Sequence, residues 1–344
     1  MLLKRLSDAR GVSGNEDAVR AILVEEIRPH VDEYRVDTIG NLIAMVRARG
    51  VETPHRVMVA AHMDEVGLMV VRIDKDGVLR FRTVGGVDPR VLIAKRVLVG
   101  KEAIPGVIGM KPIHLLTEEE RKQVAKVEQM YIDIGAKGKD DAESVVKVGD
   151  YVSFATQARL LGRVVMGKAF DDRAGCAVLA ELVKERYSVD LVAAFTVQEE
   201  VGLRGARVAA YGIEPEIGFA LEGTICDDLP REEDVTPVTR LGKGPAITVM
   251  DRSMIADRHL VDLLVRTAEA EGIPHQFKAP GLGGTDAGAI HMSREGVPSV
   301  AVSVPARYIH TPVSLVSLDD FEGAVALMKA TLHRLDKEYP WQKD

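Results

Sequence analysis

Apolar residues recur at near-helical spacing between positions 17 and 27, at Ala18, Ala21, Ile22, Val24 and Ile27, and this predicts a helix. Pro29 stops it, because proline has no amide to donate and its ring clashes with the preceding turn. The residues ahead of it read as a first helix and a loop. Two runs then lose their polar positions: 41–46, and 56–61 with the sequence Arg56-Val57-Met58-Val59-Ala60-Ala61. A strand apolar on both faces belongs at the centre of a sheet that is covered on both sides.

From residue 66 to 162 the pattern changes to short strand-like runs, at 67–73, 78–83, 94–99, 130–134 and 150–154. Turn signals separate them, among them Asp76-Gly77, Gly85-Gly86 and Gly149-Asp150. A charged stretch at 118–127 reads as one helix. Strands at this spacing predict a small β-barrel or sandwich. After residue 162 strands and helices alternate: strands at 164–166, 191–197, 217–221, 246–250 and 299–304, helices at 174–184, 259–271 and 319–336. The alternation predicts an α/β fold with helices on both faces of its sheet. The simplest organisation is a catalytic α/β unit of residues 1–65 plus 163–344, with the β unit 66–162 inserted.

Composition narrows the function. The chain has 344 residues, 46% hydrophobic and 28% charged, which excludes a disordered chain, a collagen-like chain and a coiled-coil rod. A net charge of −7 and a pI of about 5.8 speak against a nucleic-acid partner. Two cysteines, Cys176 and Cys226, make neither a disulfide scaffold nor a thiolate zinc site and fit a reducing cytoplasm. No apolar run has signal-peptide length at the start, and none approaches a membrane span.

Five apolar strands end in an acid or a histidine. His62-Met63-Asp64 follows the strand at 56–61, Asp171-Asp172-Arg173 the one at 164–166, Glu199-Glu200 the one at 191–197, Glu222 the one at 217–221, and His310 the one at 299–304. In open α/β sheets, sites form beyond the carboxyl ends of the strands, so these residues are expected to converge. Each has an ordinary reading alone. Paired acids are common on surfaces, Asp171-Asp172 makes a good helix start, and a lone histidine is seldom a ligand. Together they form an N/O donor set without thiolate, suited to Zn²⁺, Co²⁺ or Mn²⁺ in a two-metal site that activates water. Asp64 is placed to hold the second ring nitrogen of His62, and one of the Glu199-Glu200 pair to act as a general base. Asp171 could be shared by two metals, with Asp172 or Arg173 supporting it. The glycine-rich segment 281–286 reads as a close-approach loop beside the site. A phosphate-binding loop, a His-Glu-x-x-His helix and a Gly-x-Ser-x-Gly elbow are all missing from the sequence.

Several strings resemble the co-catalytic metallo-aminopeptidases that build tetrahedral (TET) particles, a family whose members carry the names glutamyl, leucyl or deblocking aminopeptidase and sometimes endoglucanase M. They are residues 6–16, 37–42, Ala61-His62-Met63-Asp64-Glu65-Val66-Gly67, Lys168-Ala169-Phe170-Asp171-Asp172-Arg173-Ala174-Gly175, Gln198-Glu199-Glu200-Val201-Gly202-Leu203-Arg204-Gly205-Ala206, Gly284-Thr285-Asp286-Ala287 and Tyr308-Ile309-His310-Thr311-Pro312. The resemblance implies a mixed-sheet α/β/α metallopeptidase domain with an inserted oligomerisation barrel. It implies two divalent ions per subunit, Zn or Co, with His62 and Glu222 on one, Glu200 and His310 on the other, and Asp171 bridging. Glu199 would be the general base, Asp64 would orient His62, and Gly284, Thr285 and Asp286 would line the substrate pocket. The family usually has Asp at position 222, so Glu222 reaches one methylene further. The implied reaction is release of the N-terminal residue from peptides with a free amine, by a cytoplasmic homo-oligomer between dimer and dodecamer.

Three other readings compete. A related deacylase or other amidohydrolase would recognise an acyl group or carboxylate instead of an amine. A glycosidase would need two carboxylates flanking a sugar, whereas these acids are better explained as ligands beside histidines. A non-catalytic scaffold would not need the full donor set with Glu199. For specificity, the acidic run 227–234 reads first as a solvated loop and second as a preference for basic N-terminal residues, against which Arg240, Lys243 and Arg252 argue.

Overall fold

Helices α1 (Leu2–Asp8) and α2 (Asp17–Ile27) open the chain and bury Leu3, Leu6, Val19, Leu23 and Ile27. In this computed structural model, which describes residues 1–229 and 237–341, three strands follow: β1 (Glu33–Val36), β2 (Leu42–Val46) and β3 (Arg56–His62). β1 is exposed along its length, whereas β2 and β3 are buried almost end to end, as their unbroken apolar runs require.

Six strands then close into an antiparallel barrel: β4 (Gly67–Ile73), β5 (Leu79–Val84), β6 (Arg96–Val99), β7 (Ile104–Met110), β8 (Met130–Asp133) and β9 (Tyr151–Phe154). Their order is β4-β5-β8-β7-β6-β9, and the barrel fills with its own cluster, including Leu68, Val70, Phe81, Val97 and Ile132. Two short helices, α3 (Glu118–Arg121) and α4 (Lys139–Glu143), lie in its connections. The helix expected over 118–127 is therefore a single turn, because the stretch has no apolar stripe to bury; Thr117 and Glu120 cap it reciprocally. β7 was not expected, since Pro105, Gly106 and Gly109 interrupt its apolar pattern. Packing asks for the small residues: a Cβ on Gly106 would stand 2.8 Å from Ile132 Cγ2.

The chain then returns to the sheet through β10 (Arg159–Leu161) and β11 (Val164–Gly167). β10 falls inside the stretch 66–162 that the sequence groups with the barrel, yet it pairs with β11 in the large sheet. There follow α5 (Phe170–Leu182), β12 (Asp190–Thr196), α6 (Arg204–Ile213), β13 (Ile217–Cys226), β14 (Ala246–Thr248), α7 (Arg258–Glu271), β15 (Gln276–Phe277), α8 (Asp286–His291), β16 (Ser299–Arg307), β17 (Ser314–Ser317) and α9 (Leu318–Glu338).

The large sheet has the order β1-β2-β12-β3-β13-β16-β17-β11-β10, with β14 and β15 beside β16. β12, β3, β13 and β16 are mutually parallel. β11 is antiparallel to β17, which is antiparallel to β16, so β11 runs the same way as the parallel four. All five strands that carry candidate residues thus present their carboxyl ends to one edge. Alternation along the strands splits the core. Leu42, Val57, Val59, Phe195, Phe219 and Val302 pack under α1, α2, α5, α7 and α9; Ile43, Met58, Ala60, Val192 and Ala194 meet α6 and α8 on the other face. This is an α/β/α sandwich. Among the described residues, no helix is long and apolar enough to cross a membrane.

Candidate metal centre

Each candidate side chain is set by the end of an element. His62 closes β3, and its amide donates to Asp172 Oδ2 at 3.0 Å. Asp171 enters α5 just past β11, joined to Asp172 by a cis peptide bond. Glu199 and Glu200 sit in the turn after β12, and His310 in the turn after β16. Ala169, Gln198 and His310 hold left-handed backbone at φ 56°, 56° and 59°, so three site turns use a conformation that residues other than glycine seldom adopt. Glu222 differs from the expectation: it does not follow its strand but lies inside β13, which runs on through Gly223 and Thr224 to Cys226. Gly223 is needed there, since a Cβ would meet Asp171 Cα at 2.7 Å.

The structure brings all these residues together around Asp171. Its Oδ1 is 3.2 Å from His62 Nε2, and its Oδ2 is 3.3 Å from His310 Nε2. Glu222 Oε2 lies 3.6 Å and Glu199 Oε2 3.8 Å from His62 Nε2, while Glu200 Oε2 lies 3.4 Å from His310 Nε2. One carboxylate therefore faces two histidines, with two glutamates beside His62 and one beside His310. The outer ring nitrogens are held elsewhere. His310 Nδ1 is 2.9 Å from the Gly86 carbonyl, next to barrel strand β5, and His62 Nδ1 is 3.2 Å from the Asp64 carbonyl and 3.4 Å from Asp64 Oδ1. With Nδ1 engaged as donor, Nε2 is left as the lone-pair nitrogen, the arrangement a ligating histidine needs.

Asp64 ties three segments together. Its Oδ1 accepts from the Glu199 amide at 2.9 Å; its Oδ2 accepts from Ser13 Oγ at 2.6 Å and the Glu200 amide at 3.1 Å. Below the site lies a buried ionic group. Lys168 Nζ donates to both oxygens of Glu65, at 2.7 and 2.8 Å, and to the Ala9 carbonyl at 2.7 Å. Arg173 donates to Glu65 Oε1 at 3.3 Å and to the carbonyls of Leu6, Ala9, Gly11 and Met63. Arg173 thus supports the site from beneath, and Asp172 holds the His62 amide.

The electrostatics show an excess of negative charge. Burial, followed by the charge of Asp171, pushes Glu200 up to about 8 against the pull of His310. Burial and neighbouring acids also raise Glu199 and Glu222 well above the usual carboxylate range. His310 rises to about 10, because its hydrogen bond to Asp171 and the Glu200 charge outweigh burial. Carboxylates crowded in this way protonate unless cations share the space. Donor atoms of His62, Asp171 and Glu200 lie within 4.8 Å of one another, as do those of His62, Asp172 and Glu222. Nitrogen and oxygen donors with uncompensated charge fit divalent metal ions.

A cavity of about 460 Å³ opens onto this group, lined by Glu199, Glu222, His310, Gly284, Thr285 and Lys278, among others. Asp286, expected to line the pocket with Gly284 and Thr285, does not. It is fully buried, accepts from Thr196 Oγ1 at 2.5 Å, and its amide donates to Glu222 Oε1 at 3.0 Å. As the first residue of α8 it has an amide with no partner inside the helix, and Glu222 takes that amide. Sequence reasoning also passed over Ser13, although it lies in one of the quoted strings, and Lys278, which carries no motif. Of the acidic run 227–234, residues 230–234 lie outside the described residues. Asp228 pairs with Arg307, and Asp227 accepts from the Val238 amide.

Comparison with known proteins gives concordant matches. The family profile described as M42 glutamyl aminopeptidase matches residues 40–327, and one described as AMPT matches residues 1–23. The structure of a TET aminopeptidase from a marine sediment archaeon of the Thaumarchaeota is 40% identical, covers 98% of this chain and 96% of its own, and superposes with a TM-score of 0.94. The Pyrococcus horikoshii TET1 peptidase, described as assembling into a tetrahedron or a large octahedral shell, is 38% identical over 96% of this chain and 98% of its own, with a TM-score of 0.85. The lysyl aminopeptidase of Pyrococcus furiosus is 35% identical, over 97% of this chain and 96% of its own.

Proposed function

We propose, for a chain that belongs to the M42 glutamyl aminopeptidase family, that it releases the N-terminal residue from peptides through a two-metal site at the carboxyl edge of its sheet. One observation carries this reading: the two oxygens of Asp171 each face a different histidine. That is the geometry of a bridging carboxylate. His62 and Glu222 would hold one ion, and His310 and Glu200 the other. Zn²⁺ or Co²⁺ suits this donor set. Ions bound there supply Lewis acidity toward the scissile carbonyl and the attacking water.

The chain's own residues supply the rest. Asp64 fixes the His62 ring and, through the Glu199 and Glu200 amides, the turn that carries both glutamates. Glu199 is left for proton transfer. It is 11% exposed, lines the cavity and lies further from His62 than the ligating carboxylates do. It takes the proton of the attacking water and returns it to the leaving amine. The acids around it draw in a free, positively charged α-amine, which favours an aminopeptidase over a deacylase. Gly284 and Thr285 form a wall against which the peptide lies.

The barrel, proposed as the inserted unit 66–162 within a catalytic unit of residues 1–65 plus 163–344, serves assembly. Ile113 and Leu115 project from it, 62% and 66% exposed, and such apolar residues suit a homo-oligomer like those of the TET relatives. Two free, buried thiols support a cytoplasmic setting.

The test uses metal-stripped protein with and without added Zn²⁺ or Co²⁺, on peptides with free and with acetylated N-termini. Metal-dependent release of the first residue from free peptides alone is expected. Cleavage of acetylated forms alone would replace this reading with a deacylase.

A further inference from the structure

The turn that carries Glu199 is held by oxygens from outside it. Four consecutive amides each donate to a side chain: Val197 to Asn41 Oδ1 at 3.0 Å, Gln198 to Glu16 Oε1 at 3.2 Å, Glu199 to Asp64 Oδ1 at 2.9 Å and Glu200 to Asp64 Oδ2 at 3.1 Å. Asn41 also donates from Nδ2 to the Gly205 carbonyl at 3.0 Å, so it closes the neck of the turn where α6 begins. Asp64 takes the two glutamate amides. Glu16 takes the one directly before them, on a residue whose backbone is left-handed at φ 56°.

The role of Glu16 does not lie in its own helix. It stands at the N-cap of α2 and makes no side-chain capping bond there. It is 4% exposed, and among the described residues no cation pairs with it. Its Oε1 accepts instead from the Gly14 amide at 2.6 Å and from the Gln198 amide, 182 positions along the chain. A carboxylate buried without a counter-ion is unfavourable, and so is a left-handed conformation at a residue other than glycine. Both are offset at one place, where the charged acceptor takes the Gln198 amide in the direction this backbone gives it. Resting on the aminopeptidase reading, we propose that Glu16 is a positioning residue for the general base: by holding the Gln198 amide it fixes the backbone from which Glu199 projects. Among the described residues it makes no hydrogen bond to a candidate metal donor. A proton-transferring group must be held within about 0.5 Å of its productive place. A slack turn therefore slows the reaction without changing how well the peptide binds.

The experiment compares metal-loaded wild type, Glu16→Met, Glu16→Gln, Glu199→Gln and the double variant Glu16→Met with Glu199→Gln. The substrate is whichever of a set of unblocked tripeptides the wild type hydrolyses fastest. Bound metal is measured by elemental analysis, and the freedom of residues 197–203 by hydrogen–deuterium exchange. Glu16→Met should lower kcat by about 10- to 100-fold with KM within about twofold, keep the wild-type metal ratio and speed exchange over 197–203. Glu16→Gln, which keeps an oxygen that accepts, should lose only about two- to fivefold. With Glu199 already replaced by Gln, Glu16→Met should have little further effect, because the base it positions is gone; a merely structural role would cost the same in both backgrounds and would overturn the proposal. Loss of metal in Glu16→Met also overturns it, by making Glu16 a support of the metal centre instead. If Glu16→Met does not fold, Glu16→Gln decides, and unchanged kcat with unchanged exchange refutes the role. Wild-type protein that hydrolyses no free peptide overturns the aminopeptidase reading and the base with it, whereas a failure confined to the variants leaves that reading standing.

Discussion

Replacing Lys168 with methionine keeps the side chain's length and removes its charge. In the folded protein that ammonium has three acceptors, the two oxygens of Glu65 and the carbonyl of Ala9, and it is 2% exposed. Its loss leaves the Ala9 carbonyl with Arg173 Nη1 at 3.2 Å, and Glu65 Oε1 with Arg173 and the Gly11 amide at 3.3 and 3.0 Å. Glu65 Oε2 is left with no partner on a buried, charged group. Breaking a buried pair from one side costs about 3–5 kcal/mol. At about 2.1 cal/mol/K of unfolding entropy per residue, a chain of 344 residues changes by about 0.7 kcal/mol per degree. The expected fall in Tm is therefore about 4–7 °C in calorimetric scans at one rate. Adding Glu65→Gln removes the stranded charge and should recover about 1–3 kcal/mol of the loss. A fall of less than about 2 °C, or strictly additive losses in the double variant, would refute the claim that this pair holds the floor of the site.

Two further predictions concern chemistry and acid stability. Glu199→Gln should lower kcat by about 10²- to 10⁴-fold while bound metal stays at the wild-type ratio in elemental analysis; loss of metal instead would make Glu199 a ligand. Asp228 is held down to about 2 by its hydrogen bonds from Arg307, below its ordinary 3.8, so the stabilisation it gives is complete above pH 4 and disappears as the pH falls through about 2. Urea unfolding should show Asp228→Asn weaker than wild type by about 1–2 kcal/mol at pH 5, with the gap closing toward pH 2; a gap independent of pH would mean that the pair carries no charge.

Much of the site was legible because buried parallel strands leave a plain trace: apolar runs such as 56–61 that stop at a polar residue. The donors stand where those runs stop, and the sheet's direction does the gathering. Legibility failed where packing asks for glycine. Helix α6 was overlooked because Gly205 and Gly212 dilute its pattern, yet a Cβ on Gly205 would stand 2.4 Å from the Val197 carbonyl. β13 was ended too early for a similar reason: Gly223, which admits the Asp171 backbone, reads as a stop. Asp286 was misplaced because a glycine-rich loop gives no sign of where its last residue turns inward. Lys278 was passed over because no local pattern marks a lysine that lines a cavity.

Neighbours in the sheet are not neighbours in time. β3 leaves the ribosome early, but it pairs with β12 and β13, which emerge only after the whole barrel. Until then its two edges are bare, and the barrel can close on its own contacts while the strand waits. The last candidate donor, His310, is made after the barrel and after β12, β13 and β16. A growing chain therefore carries His62 well before the histidine that faces the other oxygen of Asp171. For a member of an aminopeptidase family, whose substrates are amino termini, this order of assembly defers the full set of candidate donors until both histidines have been made.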